Sequence, residues 1–352
     1  MKPSVILDPH WRRISELFSP ADRARLDARF EVVWGKDGKI PQKILSEALP
    51  RATALVAATP VVDRAMLGSA PRLRAVIEVS GGFPDTIDYA ACFERGVEVL
   101  SSSPGFRESV AEMGLAMILA GARGLCREHE AFRTGREAWI EDRAGVDFTL
   151  HGAKVGFVGF GQIAREMTRH LVSFDCQIRA YDPWIAKEVA KDHGVGLCGL
   201  DELLAWSRCV VIAAVPTYGN SGLIDSSRLA LLRDNTFLLL LSRAHLVNWS
   251  DLMAELRVGR ITAAIDVFPD EPLPADDPIR DLPNVILSPH RAAAVEGGRR
   301  LIGRMLVDDL EAILAGSPLR RLSRADPGKV GSIAGVGDAG KVAEIVGGHG
   351  ST

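Results

Sequence analysis

Short apolar runs alternate with amphipathic stretches along the first hundred residues. Residues 4–7, 55–58, 75–79 and 97–100 read as strands, and residues 21–30 and 89–95 as helices. That alternation predicts a parallel sheet with helices on both faces. A long helical pattern opens near Glu108 and runs through Leu119, marking the expected first crossing between two domains. The runs 210–215 and 237–241 are continuously apolar, as strands buried on both faces require, and 262–266 and 285–288 are shorter runs of the same kind. An amphipathic helix over about residues 295–315 then leads back to the first domain.

The expected fold is α/β, with two doubly wound parallel-sheet domains. Residues 1–120 with 296–322 are assigned to one domain and residues 121–295 to the other. Residues 323–352 remain; from Ala325 on they are rich in glycine and without an aromatic side chain, which predicts a mobile tail.

A length of 352 residues suits two domains that each bury a core. Hydrophobic residues make up 47% of the chain and charged residues 25%, the balance of a soluble globular protein. The formal net charge of −3 gives no reason to expect a nucleic acid or an anionic membrane as partner. No apolar run approaches membrane-spanning length, and the apolar stretch at the N-terminus is too short for a signal peptide. The five cysteines are odd in number and form no C-x-x-C pair, so reduced thiols in a cytoplasmic protein are expected, and no metal site.

One motif changes this picture. The run Val155-Gly156-Phe157-Val158 is followed by Gly159-Phe160-Gly161-Gln162-Ile163-Ala164, and Asp182 stands 21 residues after Gly161. Gly159 permits a tight turn, Gly161 lets the backbone approach a pyrophosphate, and Ala164 lets the helix pack on the strand. The helix N-terminus offers free N–H groups and a positive dipole end. Asp182 stands where a ribose-binding acid is expected, so the segment reads as a dinucleotide site. A 2′-phosphate about 4 Å from that carboxylate would be repelled by about 4 kcal/mol per unit charge at an effective dielectric of ~20, which favours NAD over NADP. Pro183 and Trp184 follow Asp182, so no adjacent arginine reverses the preference. A second glycine pattern, Gly335 to Gly340, has no convincing strand before it and no acidic partner after it, and is rejected.

Three polar residues stand just beyond three predicted strands of the second domain: Arg243, Glu271 and His290. Ligands of open α/β sheets bind beyond the carboxyl ends of the strands, where the Gly159 turn also lies. The three can therefore converge on the reactive end of a dinucleotide.

The segments carrying them, Ser242-Arg243-Ala244-His245-Leu246-Val247-Asn248, Asp266-Val267-Phe268-Pro269-Asp270-Glu271-Pro272 and Ser288-Pro289-His290, resemble those of the D-isomer-specific 2-hydroxyacid dehydrogenase family. Asp85-Thr86-Ile87-Asp88 and Ser109-Val110-Ala111-Glu112 resemble segments of that family's substrate domain, and the likeness keeps one order over roughly residues 50–315. The resemblance implies a Rossmann NAD domain, a flavodoxin-like substrate domain and hydride transfer between NAD(H) and a small D-2-hydroxy acid or 2-keto acid. Glyoxylate or hydroxypyruvate reduction and phosphoglycerate oxidation are examples.

By this resemblance His290 moves the proton, a task suited to an imidazole titrating near ~6.5. Glu271 orients His290, and Arg243 holds the substrate carboxylate and polarises the carbonyl. Gln162, Ile163, Pro216 and Asp266 are implied to contact the cofactor together with Gly159, Gly161 and Asp182, although Asp266 can equally cap the next turn. Homodimerisation through the cofactor domain is implied, with residues 123–139 as a contact arm.

Two departures stand out. Phe83 replaces a glycine usual in the substrate loop, and Pro84 has no N–H to give, which leaves Gly81 and Gly82 as expected donors to a substrate carboxylate. Phe83 either shapes the pocket or repacks the loop. Ala244 replaces the glycine usual after the arginine, which is tolerable only without a positive φ. Two alternatives stay open: an NAD-sensing corepressor-like protein and a phosphite oxidoreductase. Formate oxidation is disfavoured because the formate enzymes carry glutamine where Glu271 stands.

Overall fold

The computed structural model describes residues 2–140, 143 and 145–333. In chain order the strands are β1 (Ser4–Asp8), β2 (Glu31–Trp34), β3 (Ala52–Ala57), β4 (Ala75–Glu78), β5 (Glu98–Ser101), β6 (Lys154–Val158), β7 (Gln177–Tyr181), β8 (Gly196–Leu197), β9 (Cys209–Ile212), β10 (Phe237–Leu240), β11 (Thr262–Ile265), β12 (Val285–Leu287) and β13 (Ser323–Arg324). Two compact units result. One ends at Arg107 and resumes at Ala294, and the other is Glu108–Ala293.

The first unit holds a six-stranded sheet in the order β13-β5-β4-β3-β1-β2. All its pairs are parallel except β13 with β5. Successive side chains of a strand point to opposite faces, and here both faces are apolar. Val5, Leu7, Ala54, Val56 and Ile77 pack with Ile302, Leu306 and Leu310 of the helix Arg300–Leu314. Ile6, Leu55, Ala57, Val76 and Val99 build the opposite core.

The second unit holds a seven-stranded, wholly parallel sheet in the order β12-β11-β10-β9-β6-β7-β8. Its central strands are buried along their whole length, which explains their unbroken apolar sequence. Strand order reverses beside β6, and ligands of such sheets bind at that reversal.

Three expectations need correction. The helix Arg107–Ala122 lies in the second unit from Glu108 on, so the division falls at 107 rather than at 120. The cause is the helix's glycine face: a Cβ on Gly121 would fall 2.0 Å from Phe237, and one on Gly114 would fall 2.8 Å from Leu241 and Met167. The returning helix starts at Arg300 rather than 295, because the preceding turn carries Gly297 at φ +76°. The stretch beyond residue 322 is not wholly a tail. Ser323–Arg324 pairs antiparallel with β5, and Ala325 and Val330 are buried in the first unit's core. Gly335 to Gly340 lie outside the described residues.

Candidate active site

Val158, Ile212, Leu240, Ile265 and Leu287 stand side by side across five parallel strands of the second unit, with Tyr181 beside Val158. Those strands therefore end along one line. Gly159, Asp182 and Asp266 are the first residues past it, Arg243 and His290 follow their strands by three, and Pro216 is half-buried in the loop after β9.

Gly159 has φ +89°, and a Cβ on it would fall 2.3 Å from the Ala214 Cα, so glycine is required twice over. Its N–H donates to the Tyr181 carbonyl at 2.8 Å. Both oxygens of Asp182 accept backbone N–H groups, from Phe160 at 2.8 Å and Trp184 at 2.9 Å, which ties the acid to the glycine turn. Gly161 caps the helix Gln162–Leu171 with extended backbone, and a Cβ there would meet no atom within 4 Å. The open space at Gly161, next to the unpaired N–H groups of the first helical turn at Gln162 and Ile163, fits a pyrophosphate. Ala164 is fully buried beneath the helix.

At the other end of the same edge, His290 Nδ1 lies 2.7 Å from Glu271 Oε2. Glu271 Oε1 accepts the Phe268 N–H at 2.9 Å, which fixes the carboxylate against rotation. Burial pushes the Glu271 carboxyl up, but the hydrogen bond and charge of His290, the Phe268 N–H and the charge of Arg243 outweigh it. The carboxyl therefore titrates below its ordinary range. The charge of Arg243 reaching Glu271 brings the three predicted residues into one electrostatic unit. Glu271 is 11% exposed and His290 39%, so the imidazole is the open end of the pair. His290 also has φ +51°, an uncommon angle for a residue with a Cβ. Ala244 opens the helical turn Ala244–Leu246 and is not among the positive-φ residues, so alanine is accommodated there.

Asp266, the first residue past β11, is bonded within the protein. It is buried, and its carboxylate accepts the Ser288 hydroxyl and the N–H groups of Arg291 at 2.9 Å and Ala292 at 3.1 Å. Those bonds hold the segment that carries His290. The sequence signal was available: a carboxylate ending a buried strand must find donors nearby.

In the first unit the expected donors Gly81 and Gly82 are already engaged. Their N–H groups donate to Glu78 Oε2 at 2.8 and 3.0 Å, and the Ser80 N–H donates to Glu78 Oε1 at 2.6 Å. Glu78 was missed by sequence reading, although an acid inside the apolar run 75–79 is a visible anomaly. Phe83 packs against the first unit's core with its ring edge-on to Tyr89.

Residues 115–292, half of the chain, match the model of the D-isomer specific 2-hydroxyacid dehydrogenase, NAD binding domain. The chain belongs to this family of dehydrogenases. Among its dehydrogenase relatives, the D-3-phosphoglycerate dehydrogenase of Mycobacterium leprae is 31% identical over 320 residues, which are 90% of this chain and 59% of that one. The glyoxylate reductase of Korarchaeum cryptofilum is 29% identical over 321 residues, covering 90% of this chain and 94% of that one. The crystal structure of a phosphoglycerate oxidoreductase from Rhizobium etli superposes with a TM-score of 0.80 at 32% identity, over 92% of this chain and 99% of that one. The chain spans little more than half the length of the phosphoglycerate dehydrogenases it matches. Among the described residues, no single helix is long and apolar enough to cross a membrane.

Proposed function

We propose that this dehydrogenase interconverts a small D-2-hydroxy acid and its 2-keto acid with NAD(H). The observation that carries the reading is the His290–Glu271 bond, with the charge of Arg243 beside it, on the strand edge that also bears the Gly159 turn. The bound nicotinamide supplies or accepts the hydride. The rest of the chemistry belongs to the chain. Glu271 holds His290 by Nδ1, which leaves Nε2 to exchange a proton with the substrate oxygen. Arg243 presents an always-charged fork to the substrate carboxylate. Asp266 acts through the backbone by fixing the Ser288–Ala292 segment. Because Gly81 and Gly82 are bonded to Glu78, Arg243 takes the main part in carboxylate recognition.

The test is NADH oxidation against glyoxylate, hydroxypyruvate, pyruvate, phenylpyruvate and branched-chain 2-keto acids, with NADPH as the control. Turnover with at least one group, preferring NADH, is expected. Tight NADH binding with no turnover on any of them would overturn the reading and favour a sensing role.

A homodimer built through the second unit is part of the proposal. Leu125, Phe132 and Trp139 are 61%, 61% and 75% exposed, and the rings of Phe132 and Trp139 meet edge-on at 6.2 Å. Such an apolar cluster is suited to an interface. Equilibrium sedimentation giving a monomer at micromolar concentration would contradict it.

A further inference from the structure

We propose that Glu78 is a specificity-determining residue whose own carboxylate fills the N–H cradle of the Ser80–Gly82 loop and bars ligand carboxylates from it. Its role in substrate choice rests on the dehydrogenase reading above, whereas the filled cradle does not. Glu78 is the last residue of β4 and has no exposed surface. A buried carboxylate is costly unless its lone pairs are satisfied. Here both oxygens are engaged. Oε2 accepts from Gly81 and Gly82. Oε1 accepts from the Ser80 N–H, the Ser80 hydroxyl and, at 3.4 Å, the Thr59 N–H.

Successive N–H groups aimed at one point form an anion-binding concavity, and in this chain the anion is built in. The loop is also held from its other side. Arg12 donates from Nε to the Val79 carbonyl at 3.2 Å and from Nη2 to the Ser80 carbonyl at 3.4 Å, and its guanidinium stacks over Trp11 at 4.4 Å. Gly81 cannot yield, since it has φ +106° and a Cβ on it would fall 2.7 Å from the Phe106 ring.

Glu78 is anchored in the sheet, where it pairs with Ala57 and Ser101. Its carboxylate is therefore an intramolecular ligand, present at an effective concentration that free 2-keto acids do not reach. A second carboxylate would also meet like-charge repulsion at that point. Substrates are consequently selected without help from these N–H groups.

The experiment uses the cofactor-free full chain labelled with 15N-glycine, with acetate as the probe. In the wild type, acetate is expected to move neither the Gly81 nor the Gly82 amide signal, nor the Tm. Glu78→Ala should lower Tm by about 4–10 °C, the loss of charge-assisted hydrogen bonds in a domain of this size. Acetate should then recover at least half of that loss and shift both amide signals, while acetamide and sodium chloride at equal strength recover none.

Acetate shifting those signals in the wild type, or in neither protein, would overturn the proposal. The wild-type titration stands alone if Glu78→Ala does not fold, and Glu78→Gln, equal in size, should lose stability without responding to acetate. None of these readings needs turnover, so an inactive enzyme leaves them intact.

Discussion

Replacing the His290 imidazole separates proton transfer from cofactor binding, because its bonding partner is Glu271 rather than the glycine turn. His290→Ala should lower kcat for keto-acid reduction by about 10²–10⁴-fold, the usual range for a general acid–base group, while the NADH Kd stays within about twofold. Stopped-flow turnover and fluorescence titration measure the two; an unchanged kcat would refute the role. Glu271 makes a separate forecast. Its pKa is lower in the folded state than its ordinary value of about 4.3, so the folded protein binds fewer protons there than the unfolded chain. Its stabilisation is present above that ordinary value and is lost as pH falls through the folded pKa. The Tm gap between wild type and Glu271→Gln should therefore be open at pH 6 and narrow steadily below about pH 4. Arg243, Glu271 and His290 were legible in the sequence because each lies in a recognisable segment just past an apolar run. Glu78 left only the trace of an acid inside an apolar run, and Asp266 was readable as a capping acid but not for which segment it caps, because most of their partners are backbone N–H groups of turns.

At the scale of elements, the two motif glycines should fail differently. Gly159→Ala drives a Cβ into the Ala214 backbone at a positive φ, so Tm should fall and NADH binding with it. Gly161→Ala puts its methyl into open space with an ordinary φ, so Tm should hold within about 2 °C while NADH affinity drops by about tenfold or more. Equal Tm losses in the two variants would mean that the space at Gly161 is not where the phosphates sit. Buried strands such as Phe237–Leu240 were readable because continuous burial writes continuous apolar sequence. The strands β2, β8 and β13 lie at or near sheet edges, are two to four residues long and are partly exposed, so no periodicity marks them.

Over the whole molecule, the chain beyond residue 322 was misjudged because glycine content was weighed over local apolar residues. Ala325 and Val330 find a core, and Ser323–Arg324 covers the free edge of β5. A chain ending at Leu322 should melt several degrees below one ending at Ile333, and should associate more readily on warming through the bared edge. Scanning calorimetry and light scattering read the two effects; equal melting would show that this pairing carries no stability. The boundary between the units falls earlier than the end of the long helix because that helix packs closely on the second unit, with Gly114 against Met167 and Leu241 and Gly121 against Phe237.

The positive φ of His290 sets chemistry against endurance at a single position. Any residue with a Cβ sits uneasily there, so glycine would relax the backbone that alanine leaves strained. Both changes abolish the bond to Glu271, yet His290→Gly should outlast His290→Ala on heating by about 1 kcal/mol. Among variants that have already lost the imidazole, selection for heat tolerance alone would then settle on glycine, the residue for which that backbone angle costs least.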